Sequence, residues 1–275
     1  SPNALAIMKT ARESVFVSVR SSATAEDLGD ASFAGQQESF INVKGNQDVL
    51  QKVKQVFASI FTARSIYYRI KKGFDAFVGI SAVVQKMINS DKSGVIFSVN
   101  PITQENILVE AVFGQGEGIV SGQIKPDSYV LSKDLEIISE KIPNKKIAIV
   151  RDSSGITKTV QLNEERSKQR VLQTHEIKQL AEYATKIEKH YKNPQDIEFA
   201  IENGEIYILQ TRSITTLSNK KEAQDLEGQI LISGIAASPG ISSGIVKIVK
   251  SMDDLDKIKE GDILVTEMTN PDMVV

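Results

Sequence analysis

The sequence contains no cysteine, which excludes disulfides, thiolate catalysis and cysteine-ligated zinc or iron–sulfur sites. Histidine is nearly as scarce. The two present, His175 and His190, flank one predicted helix without a second ligand at metal-binding spacing, so we expect both at the surface. No apolar run approaches the roughly 18 residues of a membrane span, and the N-terminus lacks the basic and apolar regions of a signal peptide. These absences predict a cytoplasmic protein with no membrane partner.

Excess charge is also missing, because the formal net charge is only -2 and charges of both signs are interspersed. Such a chain has no field that would attract nucleic acid, so we expect no nucleic-acid partner. The 275 residues, 41% hydrophobic and 25% charged, are an ordinary globular mixture that suits one large domain or two. The first residue is Ser1 rather than Met, from which we expect the chain to be a fragment.

The most informative stretch runs from Asp196 to Arg212, DIEFAIENGEIYILQTR. Its Asn-Gly pair at 203–204 predicts a β-hairpin turn. Before the turn, Asp196 and Glu198 alternate with apolar residues, so both carboxylates lie on one face of the first strand. Such a face either belongs to an active site or is only hydrated.

The length of this turn decides what the two carboxylates meet. A two-residue turn pairs Glu202 with Glu205 and puts Gln210 and Arg212 on the opposite face. A turn one residue longer, with Gly204 in the left-handed region, brings the carboxylates, Gln210 and Arg212 to one face. Only the longer turn builds a site, because carboxylate and amide oxygens can hold Mg2+ and a guanidinium can bind a phosphate. We therefore predict the three-residue turn.

A second unusual stretch begins where a strand at 15–19 leads into Arg20. The segment from Arg20 to Gln37, RSSATAEDLGDASFAGQQ, is dense in small and hydroxyl-bearing residues. This composition lets a backbone lie close to a polyanion, although many serine-rich segments are only loops. The glycines of the later segment 114–118, GQGEG, match neither the dinucleotide fingerprint nor the P-loop, which favours a flexible turn there.

The remaining periodicities predict an α+β fold with a mixed, mainly antiparallel sheet. A short helix is expected at 4–12, and a helix from Thr174 to near Pro194 should bury one apolar stripe. Strands at 83–88 and 94–99, joined by a polar turn, should form a hairpin. Further strands are expected at 107–113, 129–131, 137–138 and 146–150. Another helix should place its regularly spaced apolar residues in the core: Val49, Leu50, Val53, Val56, Phe57, Ile60 and Phe61.

Composition divides the chain into three parts. Residues 1–216 form the first domain, and the polar, aperiodic residues 217–228 are typical of a linker. Residues 229–275 should form a β-rich unit with one helix, with strands near 230–232, 245–249 and 263–265. This unit is close to the lower size limit for independent folding, and we expect it to be truncated.

Two long motifs carry a family resemblance. VRSSATAEDLGDASFAGQQ at 19–37 and DIEFAIENGEIYILQTR at 196–212 resemble the nucleotide-binding domain of the pyruvate-utilising dikinases. This family includes phosphoenolpyruvate synthases, pyruvate phosphate dikinases and antibiotic phosphotransferases. SGVIFSVNP at 93–101 agrees with it, and GDILVTEMTNPDMVV at 261–275 is similar to the start of the mobile phosphohistidine domain of the synthases. The resemblance therefore favours the synthase branch.

The resemblance implies an ATP-grasp-like fold that uses ATP and Mg2+ as cofactors. Its implied catalytic residues are Arg20 and Arg212, each contacting ATP phosphates. Its implied metal ligands are Glu198 and Gln210, supported by Asp196. The other implied nucleotide-binding positions are Gly35 and Ser39 in a phosphate-covering loop, and Gln85 to Ile88, including Met87, around the adenine.

The resemblance further implies partners and parts outside this sequence. The family's phosphate-binding lysine subdomain would precede Ser1, and its carrier histidine and pyruvate-binding barrel would follow Val275. We therefore expect the fragment alone to be inactive and the full-length protein to bind pyruvate as a homo-oligomer. Alternatives left open are a pyruvate phosphate dikinase, a rifampin-type antibiotic phosphotransferase, and a nucleotide-binding module without catalysis.

Overall fold

The computed structural model describes residues 15–24, 27–28, 31–32, 37–71, 73, 79–120, 122–214, 241–249 and 252–266. The strands are β1 (Val17–Ala23), β2 (Asp27–Leu28), β3 (Ala31–Ser32), β4 (Ser39–Val43), β5 (Ile80–Lys86), β6 (Lys92–Phe97), β7 (Ile107–Phe113), β8 (Asp127–Leu131), β9 (Ile137–Lys141), β10 (Ile147–Arg151), β11 (Thr157–Gln161), β12 (Gln195–Glu202), β13 (Glu205–Ser213), β14 (Val246–Ile248) and β15 (Ile263–Val265). The helices are α1 (Asn46–Ser59), α2 (Ala63–Lys71), α3 (Glu117–Val120), α4 (Glu164–Lys168), α5 (Thr174–Tyr191) and a 3-10 helix (Met252–Lys257). This mixture of helices and mainly antiparallel sheets confirms the predicted α+β class. The predicted helix at 4–12, the strand near 230–232, the linker at 217–228 and Gly35 lie outside the described residues.

A six-stranded sheet in the order β13-β12-β6-β7-β8-β9 forms the largest layer. Its neighbouring strands are antiparallel throughout. Helix α5 packs on one face and buries Ile177, Leu180 and Ala184 against the sheet, as the helical spacing predicts. Full burial of such a leucine or isoleucine stabilises the fold by about 1.5–3 kcal/mol. His175 and His190 are exposed, which confirms their predicted surface position.

A second, three-stranded sheet has the order β4-β1-β5 and packs against α1. The prediction that the whole apolar stripe of α1 is core is wrong. Val56 and neighbouring valines pack on the sheet, whereas Leu50 is 57% and Phe61 75% exposed. The physical reason is the narrowness of this sheet, which covers one flank of the stripe and leaves the other outside any described core cluster.

The predicted hairpin between the strands near 83–88 and 94–99 is also wrong. Strand β5 pairs with β1 in the small sheet, and β6 pairs with β7 and β12 in the large one. Residues 87–91 therefore carry the chain from one sheet to the other. A polar connection between two strands does not specify whether they pair, and here the two sheets meet along it.

The described residues nearest the C-terminus form a small group of two strands and one helix. β14 and β15 pair in parallel, with the 3-10 helix between them in sequence. Their positions match the strands predicted at 245–249 and 263–265. The domain boundaries themselves stay predictions.

Candidate functional site

The β12–β13 hairpin has a two-residue turn, so the prediction of a three-residue turn is wrong. Glu202 pairs with Glu205. The two residues between them both adopt positive φ, 53° at Asn203 and 80° at Gly204. This is the combination that the type I′ turn requires and that an Asn-Gly pair favours. Gly204 is left-handed, as expected.

A β-bulge farther along the hairpin corrects the register that this turn would impose. Phe199 pairs with Ile208, but the next residue, Glu198, pairs with Gln210, so Leu209 is the extra residue. Because side chains alternate along a strand, one extra residue reverses the face of everything beyond it. The bulge therefore puts Gln210 opposite Glu198.

The same shift brings Asp196 opposite Arg212. Arg212 Nε lies 3.6 Å from Asp196 Oδ2, and Arg212 Nη2 lies 3.5 Å from Glu198 Oε1. The structure thus gathers both carboxylates, the amide and the guanidinium on one face, as the predicted site requires. It does so by a bulge instead of a longer turn.

Arg20 joins this group from the small sheet. It lies on β1, where its neighbours are Ser39 on β4 and Val83 on β5. Its Nη2 donates a hydrogen bond to Gln210 Oε1 and lies 3.7 Å from Glu198 Oε2. The two sequence motifs therefore meet across the junction between the two sheets.

A cavity of about 510 Å3 opens at this junction. Its volume is within the range of small-molecule and cofactor sites, roughly 300–1,000 Å3. Five predicted site residues line it: Arg20, Ser39, Gln85, Met87 and Glu198. The other three described predicted residues lie beside it. Gln210 contacts Arg20, Arg212 contacts Glu198, and Asp196 contacts Arg212.

Sequence reasoning missed one wall of the cavity. Gln115, Gly116 and Glu117, from the segment expected to be only a flexible turn, line it. Gln115 is 6% exposed, and its backbone N donates to Ile149 O at 2.7 Å. Among the residues that the structure describes, neither atom of its side-chain amide has a hydrogen-bond partner. Buried polar groups without partners are rare and often mark a functional role. The available signal was a glycine-rich loop directly after β7, a strand that is apolar except for Glu110.

The electrostatics of the hairpin face are set by partial burial. Burial raises the pKa of the Asp196 carboxyl above its usual value, while the Arg212 charge lowers it and the Glu198 charge raises it further. No described residue donates a hydrogen bond to Asp196 Oδ1. Carboxylate and amide oxygens of Asp196, Glu198 and Gln210 are the hard ligands that Mg2+ prefers, so the donor set fits this ion.

That donor set is nevertheless small. Within the described ranges no three His, Cys, Asp or Glu side chains come together as a metal cluster. Mg2+ demands near-octahedral coordination and commonly takes one or two carboxylates together with substrate phosphates and water. An Mg2+ ion at this point would therefore need ligands from outside the protein, such as phosphate oxygens and water.

Residues 3–229 match the family model described as "Pyruvate phosphate dikinase, AMP/ATP-binding domain", so the chain belongs to this family of nucleotide-binding domains. Among individual relatives, it is 49% identical to a probable phosphoenolpyruvate synthase of Methanocaldococcus jannaschii, with 95% of this chain and 23% of that protein aligned. It is 52% identical to a probable phosphoenolpyruvate synthase of Archaeoglobus fulgidus, covering 94% of this chain and 36% of the relative. For a phosphoenolpyruvate synthase of Pyrococcus furiosus the identity is 47%, covering 96% and 34%. The chain thus spans between about a quarter and a third of the length of these relatives.

The helices offer no candidate membrane span. None that the structure describes combines the length and the apolar composition needed to cross a bilayer.

Proposed function

We propose that this chain is the ATP-binding part of a phosphoenolpyruvate synthase. The full reaction would convert ATP, pyruvate and water to phosphoenolpyruvate, AMP and phosphate through a phosphohistidine. The observation that carries the proposal is the cluster of Arg20, Glu198, Gln210 and Arg212 at the cavity where the two sheets meet. It combines two cations for phosphates with oxygen ligands for a metal. Pyruvate is proposed as the phosphoryl acceptor from the names of the relatives.

The proposed roles follow from the chemistry of each side chain. Arg20 and Arg212 would bind phosphate oxygens, since a guanidinium is always charged and its fork suits two oxygens at once. Glu198 and Gln210 would hold Mg2+, which when bound screens the negative charge that develops in phosphoryl transfer. Asp196 would orient Arg212 through their 3.6 Å contact.

The base would lie against the connection between the two sheets. Gln85, Met87 and Ile88 line the cavity, as do Gln115, Gly116 and Glu117. Ser39 lies nearer the phosphates, beside Arg20 in the small sheet. Gly35, proposed for the phosphate-covering loop, is outside the described residues.

The finer architecture is part of the same proposal. Two sheets that enclose a cavity between them support an ATP-grasp-like arrangement for residues 1–216. Residues 229–275, with their parallel β14–β15 pair, would belong to the mobile phosphohistidine domain beyond the linker at 217–228. The cytoplasmic location and homo-oligomeric state stay predictions.

Product analysis of the intact protein tests the proposal. Incubation with ATP, Mg2+ and pyruvate should yield phosphoenolpyruvate, AMP and inorganic phosphate in equal amounts. A reaction that needs added inorganic phosphate and releases pyrophosphate would indicate the dikinase instead. ATP binding without any pyruvate-dependent AMP would contradict the synthase.

A further inference from the structure

The oxygen atoms proposed as metal ligands are already engaged by cations of the protein. Arg20 Nη2 donates to Gln210 Oε1 and lies 3.7 Å from Glu198 Oε2. The other Glu198 oxygen lies 3.5 Å from Arg212 Nη2. One guanidinium nitrogen of Arg20 thus contacts both the amide and the carboxylate that would hold a metal ion.

The charges of this cluster cancel. Arg20 and Arg212 contribute two positive charges, and Asp196 and Glu198 supply two carboxylates. These side chains are 27–30% exposed, so their attraction is only partly screened by water. A divalent cation entering alone would meet no excess negative charge. It would also have to displace a guanidinium that cannot lose its own charge.

A polyphosphate changes this balance. It brings several negative charges and offers the bidentate oxygens that arginine binds best. Once Arg20 turns to a phosphate, Gln210 Oε1 and one oxygen of Glu198 become available together. The incoming phosphates also supply ligands that the protein does not provide.

We propose that Arg20 acts as a placeholder for the metal, so that this site takes up a divalent cation only together with a polyphosphate. The inference rests on the proposed function and adds a condition for metal binding to it. Free metal should bind weakly, whereas the metal–nucleotide complex should bind well. Arg20 then has two partners, the ligand oxygens in the free protein and a phosphate in the complex.

The test is calorimetric titration of the intact protein with Mn2+ alone, in place of Mg2+, for wild type and Arg20→Met. Binding at this site is defined as the part of the signal that Glu198→Gln removes. Lys86→Met is the matched control. Lys86 lines the same cavity, and among the contacts of the described residues it bonds to neither Glu198 nor Gln210.

Arg20→Met should bind Mn2+ alone at least about tenfold more tightly than wild type, whereas it should bind Mn2+·ATP at least about tenfold more weakly. Lys86→Met should change the affinity for Mn2+ alone by less than about threefold. Equal gains in both variants would mean general electrostatics, and no gain in Arg20→Met would mean no competition; either overturns the inference. Arg20→Gln repeats the test if Arg20→Met fails to fold. Wild-type protein that binds no Mn2+·ATP would overturn the proposed function itself.

Discussion

The side-chain amide of Gln85 donates a hydrogen bond of 3.1 Å to the main-chain carbonyl of Leu209, the extra residue of the β13 bulge. Gln85 belongs to the small sheet and Leu209 to the edge strand of the large one. The bulge therefore does more than set the register of the hairpin. It frees a carbonyl that ties the two sheets together beside the cavity.

Replacing Glu198 by Gln in the full-length protein should slow its ATP-dependent phosphorylation by roughly 100-fold or more, because the change removes the charge of a proposed metal ligand. The melting temperature should change little, since the ion pairs of Glu198 are long and partly exposed, and such pairs contribute about 0–1 kcal/mol. Phosphorylation is measured with labelled ATP at saturating Mg2+. Glu202→Gln, on the same strand face near the turn, is the control. A Glu198→Gln rate within about threefold of wild type would show that this carboxylate is only hydrated.

Replacing Gly204 by Ala should destabilise the protein by about 1 kcal/mol. The cost is backbone strain alone, because a Cβ at Gly204 would have nothing within 4 Å while its φ is +80°. Gly204→Asn, which tolerates the left-handed region better, should cost less. Urea denaturation measures both. Nucleotide affinity should stay unchanged, and a large loss of affinity would mean that the turn shifts the whole hairpin.

Glu110 should make stability depend on pH in an unusual direction. Glu110 pairs with Val95 on β6, and Val95 pairs on its other side with Glu198. Burial raises the pKa of the Glu110 carboxyl from 4.5, and a hydrogen bond from Ser128 partly offsets this rise. A raised folded pKa means that the folded state holds the proton longer than the unfolded state. Stability from this group is therefore lost as pH rises from about 4.5 through the higher folded value.

The variant Glu110→Gln removes this loss and keeps a partner for Ser128. Its free energy of unfolding should gain on wild type as pH rises through that window, and the two should differ least below pH 4.5. Urea denaturation at several pH values measures the difference. A difference that does not vary with pH would contradict the shift.

Lys145 and Asp127 form a fully buried ion pair, in which Asp127 Oδ2 also accepts from Tyr129 Oη at 3.0 Å and Val171 N at 2.7 Å. Lys145→Met should destabilise the protein by about 3–5 kcal/mol, because it leaves a buried carboxylate without its cation. Adding Asp127→Asn should recover part of that loss. Equilibrium denaturation of the single and double variants measures it, and a loss from Lys145→Met below about 1 kcal/mol would show that water compensates the charge.

Gln115→Leu should raise the stability of the free protein by about 1 kcal/mol, because it removes a buried amide that has no partner among the described residues. If that amide is kept for the nucleotide, the same change should weaken ATP binding. Thermal unfolding and ATP titration measure the two effects. Higher stability with unchanged ATP affinity would assign the residue to packing only.

The spacing of apolar residues was sufficient to predict structure where burial was the only requirement on a segment. The stripe of Ile177, Leu180 and Ala184 predicted α5 and its buried face because only burial acts on it. The hairpin was harder, because two demands conflict within it. Asn203-Gly204 favours a two-residue turn. To place the polar side chains of both strands on one face, however, the pairing register must shift by one residue. The chain satisfies both with a bulge at Leu209, a solution that alternation alone does not indicate.

The proposed site residues were predicted from sequence motifs, whereas the cavity wall that contains Gln115 was not. Arg20 and Glu198 lie in long, unusual segments whose polar content contradicts a simple strand pattern. Gln115 lies in a short glycine loop whose sequence fits many turns, and its backbone N bonds to Ile149, which is distant in sequence. The separation of β5 and β6 into two sheets likewise depends on partners elsewhere in the chain. Such tertiary choices leave little trace in local composition.

The contact between Arg20 and Gln210 joins residues 190 positions apart, on strands of different sheets. Because its two residues lie in different sheets, this contact exists only when the sheets are assembled. A ligand that binds only the folded form therefore stabilises the assembled pair of sheets, by about 2.7 kcal/mol at 100 times its dissociation constant. For a nucleotide-binding domain, the concentration of nucleotide therefore also determines how much of the protein is folded.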